Sequence, residues 1–153
     1  TLMVDMAGNY RPWMSDMTRT FAIGTVPDIA HKAHQVSIDI CKAIAATGQS
    51  GASCADIYLL AEEMARKNGL AGCFMGTKQQ AKFVGHGVGL EINEPPVLAP
   101  RSKEILETGM AIAVEPKFVL PGIGAVGIEN SYIVRENGLE KITCCEEKMV
   151  ALS

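Results

Sequence analysis

Ile112-Ala113-Val114-Glu115-Pro116-Lys117-Phe118-Val119-Leu120-Pro121-Gly122-Ile123-Gly124-Ala125-Val126-Gly127-Ile128-Glu129 reads as an apolar strand, a Pro-Gly turn and a returning apolar strand, with a carboxylate on each arm. Facing residues of an antiparallel hairpin lie at equal distances from its turn. Glu115 and Glu129 are symmetrical about Gly122, in the middle of the turn signal, so the two carboxylates are expected to face each other across the strands.

The beginning of the chain repeats the design. Leu2 to Asp5 and Met14 to Ile23 are strand-like, Gly8-Asn9-Tyr10-Arg11-Pro12 is a turn cluster, and residues 1 to 23 read as a second hairpin. Asp5 and Asp16 are symmetrical about the bond between Tyr10 and Arg11. Without a bulge they are cross-strand neighbours, with Cβ atoms about 4.5 to 5.5 Å apart.

Two helices separate the hairpins. Pro27 and Asp28 suit a first turn, and Ile29, Ala33, Val36, Ile40 and Ile44 recur at helical spacing until Thr47-Gly48. Ser53 with Asp56 resembles a capping box, Ile57, Leu60, Met64 and Ala65 form a second stripe, and Asn68-Gly69 closes it. From Phe83 onward, Gly and Pro punctuation, including Pro95-Pro96 and Pro100, bounds three or four short strands. Strands, then helices, then strands favour an α+β antiparallel architecture over a doubly wound sheet.

Like charges facing each other in apolar strands such as Met3-Val4-Asp5-Met6 repel unless protonated or neutralised. Two divalent cations would balance four carboxylates, and ions about 3.5 to 4 Å apart can share bridging ligands. His86, between Gly85 and Gly87 where backbones can approach closely, adds one nitrogen to an oxygen-rich shell. Asp5, Asp16, His86, Glu115 and Glu129 are therefore the candidate metal ligands, for Mn, Co, Fe or Zn rather than Cu. A plainer alternative for a single carboxylate pair is an ion pair, with Arg19 and Lys117 as local partners.

Other signals are weaker. His31 and His34 fall largely off the apolar stripe of their helix and read as a solvated face. Gly85-x-Gly87-x-Gly89 fits neither phosphate-binding pattern. Cys144 and Cys145 read as buried thiols rather than nucleophiles, and the five cysteines lack Cys-x-x-Cys spacing, as expected of reduced thiols in the cytoplasm. At 153 residues and 48% hydrophobic, the chain suits one domain, residues 1–153. Its charge of −3 and scattered basic residues point away from nucleic acid, and no apolar run reaches membrane-spanning length, so a peptide-like partner is expected. The abrupt start at Thr1 reads as a cut into a larger fold, leaving apolar surface that would drive homo-oligomer formation.

Val4-Asp5-x-x-Gly8, Ser15-Asp16-Met17-Thr18-Arg19-Thr20, Gly85-His86-Gly87-Val88-Gly89-Leu90, Val114-Glu115-Pro116 and Gly127-Ile128-Glu129-Asn130 resemble, in order, the five ligand blocks of the pita-bread metallopeptidases. That family includes methionine aminopeptidase, aminopeptidase P, prolidase and creatinase. The Asp-Met-Thr-Arg-Thr block is more similar to the Xaa-Pro peptidase branch.

The resemblance implies a curved antiparallel sheet covered by helices, with the N-terminal part of the fold missing from this chain. It implies that Asp16 and Glu129 bridge two metals, that Asp5 binds one of them, and that His86 and Glu115 bind the other. It further implies hydrolysis of an Xaa-Pro peptide bond by a metal-bridging water, with Glu115 and His86 as catalytic residues and Glu115 moving the proton. Asn93 stands where the prolidase-like pattern has a histidine and is the candidate substrate-binding residue, able to hydrogen-bond a carbonyl. A creatinase-like amidinohydrolase and a non-catalytic peptide-binding module of the same fold are the alternatives, and a partial catalytic domain is expected to be inactive when isolated.

Overall fold

The computed structural model describes residues 1–152. Strands β1 (Leu2–Tyr10) and β2 (Trp13–Ile23) form the first hairpin, followed by helices α1 (Asp28–Thr47) and α2 (Cys54–Lys67) and a short 3₁₀ turn at Ala71–Cys73. Eight further strands follow: β3 (Gly85–Gly87), β4 (Glu94–Val97), β5 (Ala111–Val114), β6 (Lys117–Leu120), β7 (Gly124–Gly127), β8 (Asn130–Arg135), β9 (Gly138–Lys141) and β10 (Val150–Leu152). The expected three or four strands after Phe83 was too few, because each apolar run is broken at a ligand or turn residue. Pro95 and Pro96 lie inside β4 instead of bounding it. β4 is an edge strand of the sheet β4-β3-β5-β8-β9, where a missing N–H is tolerated.

Both helices follow their sequence signals. The Ser53 hydroxyl accepts a hydrogen bond from the Asp56 N–H at 3.3 Å, capping α2. Ala33, Val36, Ile40 and Ile44 of α1 are buried as the stripe requires, while Ile29 stays exposed and Ala30 takes the inward position. α1 packs on α2 and across β6, β7 and β9. Ile40, Ile44, Tyr58, Phe118, Val126 and Ile112 share the resulting core, and full burial of each is worth about 1.5–3 kcal/mol.

His34 contradicts the solvated-face reading. It is 4% exposed, and its Nε2 lies 2.7 Å from the Glu147 carbonyl oxygen. A carbonyl only accepts, so Nε2 carries the proton and Nδ1 is left buried without a partner among the described residues. The helix is covered on a second side by the C-terminal segment, which its apolar stripe does not announce. His31 is exposed, as expected.

The pairing register of the first hairpin differs from expectation by two residues. Gly8 pairs with Ser15 and Asn9 with Met14, so both belong to strands, and the turn is Arg11-Pro12, with Arg11 at a positive φ of 56°. The centre therefore lies between Arg11 and Pro12, not between Tyr10 and Arg11. The second hairpin keeps its expected centre: Lys117 pairs with Gly127 and, farther from the turn, Val114 with Asn130, all symmetrical about Gly122. It is one long hairpin interrupted at Glu115-Pro116 and Ile128-Glu129. There each strand turns to another partner, the Glu115 N–H donating to Val84 O and the Glu129 N–H to Thr18 O.

Candidate metal centre

Asp5 comes from β1, Asp16 from β2, and His86 from the middle of β3, while Glu115 and Glu129 occupy the break in the long hairpin. All five line one cavity of about 440 Å³, together with Ala7, Ile92 and Asn93. The corrected register does not separate the aspartates. Asp5 lies opposite Thr18 and Asp16 opposite Ala7, so the expected direct pairing becomes a diagonal one on the same face of the hairpin. A slip of two residues preserves the face, whereas a slip of one would have sent Asp16 to the other side. Asp5 is exposed at the cavity rim, and the other four are buried.

Close backbone approach fixes His86. A Cβ on Gly85 would meet Ala113 O at 2.4 Å, and one on Gly87 would meet Pro95 O at 2.3 Å, so only glycine fits between β4 and β5 at either flank. The imidazole Nδ1 lies 3.0 Å from Gly87 O and must donate to it, so in the neutral ring the lone pair is on Nε2. That lone pair meets Glu115 Oε1 at 3.6 Å, Asp16 Oδ2 at 3.8 Å and Glu129 Oε1 at 3.9 Å. A lone pair directed at three carboxylate oxygens is unfavourable by itself; a cation among them reverses the sign of every contact. One ligand atom each from Asp16, His86 and Glu129 lie within 4.8 Å of one another. The donor set, oxygen-rich with one imidazole held by its other nitrogen, fits a divalent metal.

The electrostatics carry the same strain. Burial, with Glu115 next in importance, pushes the Glu129 carboxyl up to about 8. Burial and then Asp5 raise Asp16. Burial opposes the Lys117 ammonium, but the Glu115 carboxylate outweighs it and the lysine pKa rises.

Beside the ligands, Thr18 went unassigned in the sequence, and Lys117 was named there only as an ion-pair partner. The Thr18 hydroxyl donates to Glu129 Oε2 at 2.8 Å, and the Lys117 ammonium pairs with Glu115 Oε2. Each lies two residues beyond a ligand, Asp16 and Glu115 respectively, so the two-residue period of a strand was the available signal. Lys117 as an ion-pair partner agrees with the plainer reading of that carboxylate. Arg19 does not: its guanidinium donates to Glu129 O, Thr18 O, Glu146 O, Cys145 O and Asn130 Oδ1, tying the backbone at Glu129 to β2 and the C-terminal segment. Cys144 and Cys145, expected to be buried, are exposed, because the segment after β9 runs over the surface.

The chain belongs to metallopeptidase family M24, whose model matches residues 1–136. It is 27% identical over 149 residues to the Xaa-Pro dipeptidase of Pyrococcus furiosus, an alignment covering 97% of this chain and 41% of that protein. The solved structure of an Xaa-Pro dipeptidase from Bacillus anthracis matches with a TM-score of 0.86 at 33% identity, covering 98% of this chain and 41% of the other. For a dipeptidase from Pyrococcus horikoshii OT3 the TM-score is 0.89 at 28% identity, over 98% of this chain and 40% of the other. The fold is therefore the pita-bread fold, and the chain spans about 40% of the length of these relatives.

Proposed function

We propose that this chain carries the metal-binding and catalytic residues of a dinuclear hydrolase that cleaves Xaa-Pro peptide bonds, in the manner of a dipeptidase or aminopeptidase P. The observation that carries the reading is the convergence of Asp16, His86 and Glu129 with Glu115 and Asp5 on one cavity. The Xaa-Pro dipeptidases among its relatives supply the substrate class. Asp16 and Glu129 would bridge two ions, with Asp5 on one side and His86 and Glu115 on the other; Mn, Co, Fe and Zn all suit these donors. When bound, such ions supply a water of lowered pKa and a Lewis acid for the scissile carbonyl.

The chain's own residues do the rest. Glu115 accepts the proton of the attacking water and delivers it to the leaving nitrogen, as a positioned base and then acid. His86, locked by its Nδ1–H to Gly87 O, keeps Nε2 available as a ligand. Asn93, at the cavity edge, donates its amide N–H to a substrate carbonyl. The five free thiols fit a reducing, cytoplasmic setting.

The test is hydrolysis of a panel holding Xaa-Pro peptides, peptides without proline and a guanidino substrate, with the Mn-loaded product of the full parent open reading frame. Preference for Xaa-Pro, with Glu115→Gln reducing the rate by about 10²–10⁴-fold, is the expected outcome. Selective turnover of the guanidino compound, or a Glu115→Gln protein as fast as the wild type, contradicts the proposal.

A further inference from the structure

Lys117 stands out from every other basic residue near the site. Among the described residues it is the only lysine or arginine that forms an ion pair with any of the five candidate ligands, and its side chain is 23% exposed against 7% for its partner Glu115. The nearby buried cation, Arg19, spends its N–H groups on carbonyls and Asn130 and offers none to a ligand carboxylate.

The path of the lysine depends on the residue across from it. Lys117 and Gly127 are direct partners in the β6–β7 ladder. A Cβ on Gly127 would lie 2.7 Å from Pro116 O and 2.8 Å from Lys117 Cβ, where facing Cβ atoms ordinarily stand about 4.5 to 5.5 Å apart. Gly127 is held in place by exchange of hydrogen bonds with the Thr20 hydroxyl, at 2.7 and 3.0 Å. Glycine here lets the strands close up beside the ligand break, with no side chain opposite the lysine, whose ammonium lies at Glu115.

The two glutamates are then held alike. Glu129 has Oε2 engaged by Thr18 and Oε1 facing His86 Nε2 at 3.9 Å; Glu115 has Oε2 engaged by Lys117 and Oε1 facing the same nitrogen at 3.6 Å. We propose that Lys117 is a positioning residue which occupies Oε2 of Glu115, so that this carboxylate presents the single oxygen Oε1 to the metal and the reacting water. This rests on the metallohydrolase reading above. Hydrogen-bonding partners that orient ligand side chains typically contribute about 10–100-fold to metal affinity or activity.

The test replaces the protein's metal with Co(II), whose visible absorption weakens as its coordination number rises, and compares wild type, Lys117→Met and Lys117→Arg. Lys117→Met frees Oε2 for the metal and is expected to weaken the visible bands and lower kcat by about 10–100-fold, with KM within about twofold of wild type. Lys117→Arg keeps the charge and is expected to restore the spectrum and most of kcat. Gly127→Ala, which displaces the lysine stem while leaving Lys117 in the sequence, is expected to give the Lys117→Met spectrum. A Lys117→Met protein with wild-type spectrum and kcat overturns the inference alone, as does one whose only change is a raised KM, which would put the lysine on substrate. A wild-type protein that takes up no Co(II) overturns the metallohydrolase reading with it.

Discussion

Thr18 holds the most buried of the candidate ligands. Glu129 is 1% exposed, and its Oε2 accepts the Thr18 hydroxyl, a contact that favours the ionised carboxylate against the upward push of burial and Glu115. Replacing Thr18 by Val removes that donor at almost constant volume. The expected result is metal affinity lower by about 10–100-fold in a chelator competition, and an unchanged affinity would contradict the orienting role. At this scale the sequence was readable where chemistry is local: the convergence of the five candidate ligands on one cavity, the glycines flanking His86, and Lys117 as a charge partner. His34 and Arg19 were misread because their partners, the carbonyls of Glu147, Glu146 and Cys145, lie more than 100 positions away and leave no periodic trace.

Among the elements, the helices were legible from spacing and caps, and the long hairpin from the symmetry of its Pro-Gly turn. The first hairpin was misplaced by two residues because Gly8-Asn9 has turn composition yet is paired strand, while the chain reverses at Arg11-Pro12. The site survived the error because the side-chain period of a strand is also two. The packing of α1 against the C-terminal segment carries its own pH dependence. Burial holds His34 below its ordinary 6.5, Arg19 and His31 add to that, and the Glu147 carbonyl and carboxylate work against it. With the folded pKa depressed, the unfolded chain binds more protons as pH falls, so this contribution is complete above about 6.5 and is lost progressively below it. Glutamine at this position offers an N–H to the Glu147 carbonyl but does not titrate. In denaturant unfolding, the stability lost between pH 7.5 and 5.5 is therefore expected to be smaller for His34→Gln than for wild type, and equal losses would contradict the assignment.

For the whole molecule, the first hairpin leaves apolar side chains in solvent: Tyr10 is 73% exposed, Trp13 and Ile23 each 60%, and Leu2 43%. Neighbouring exposed apolar residues on a sheet favour association, and we expect the purified protein to self-associate, read as a concentration-dependent mass in light scattering. A monomer at all concentrations would contradict this. No helix among the described residues is long and apolar enough to cross a membrane. We propose that three separate regions of the chain, residues 5–16, 86 and 115–129, fold together to hold two metal ions. Metal analysis of the Mn-loaded, desalted protein tests it most directly. Two ions per chain, falling below one in Asp16→Ala and in Glu129→Ala with the fold retained by circular dichroism, is the predicted result; a folded wild-type chain that retains no Mn, Co, Fe or Zn under any loading condition would contradict it.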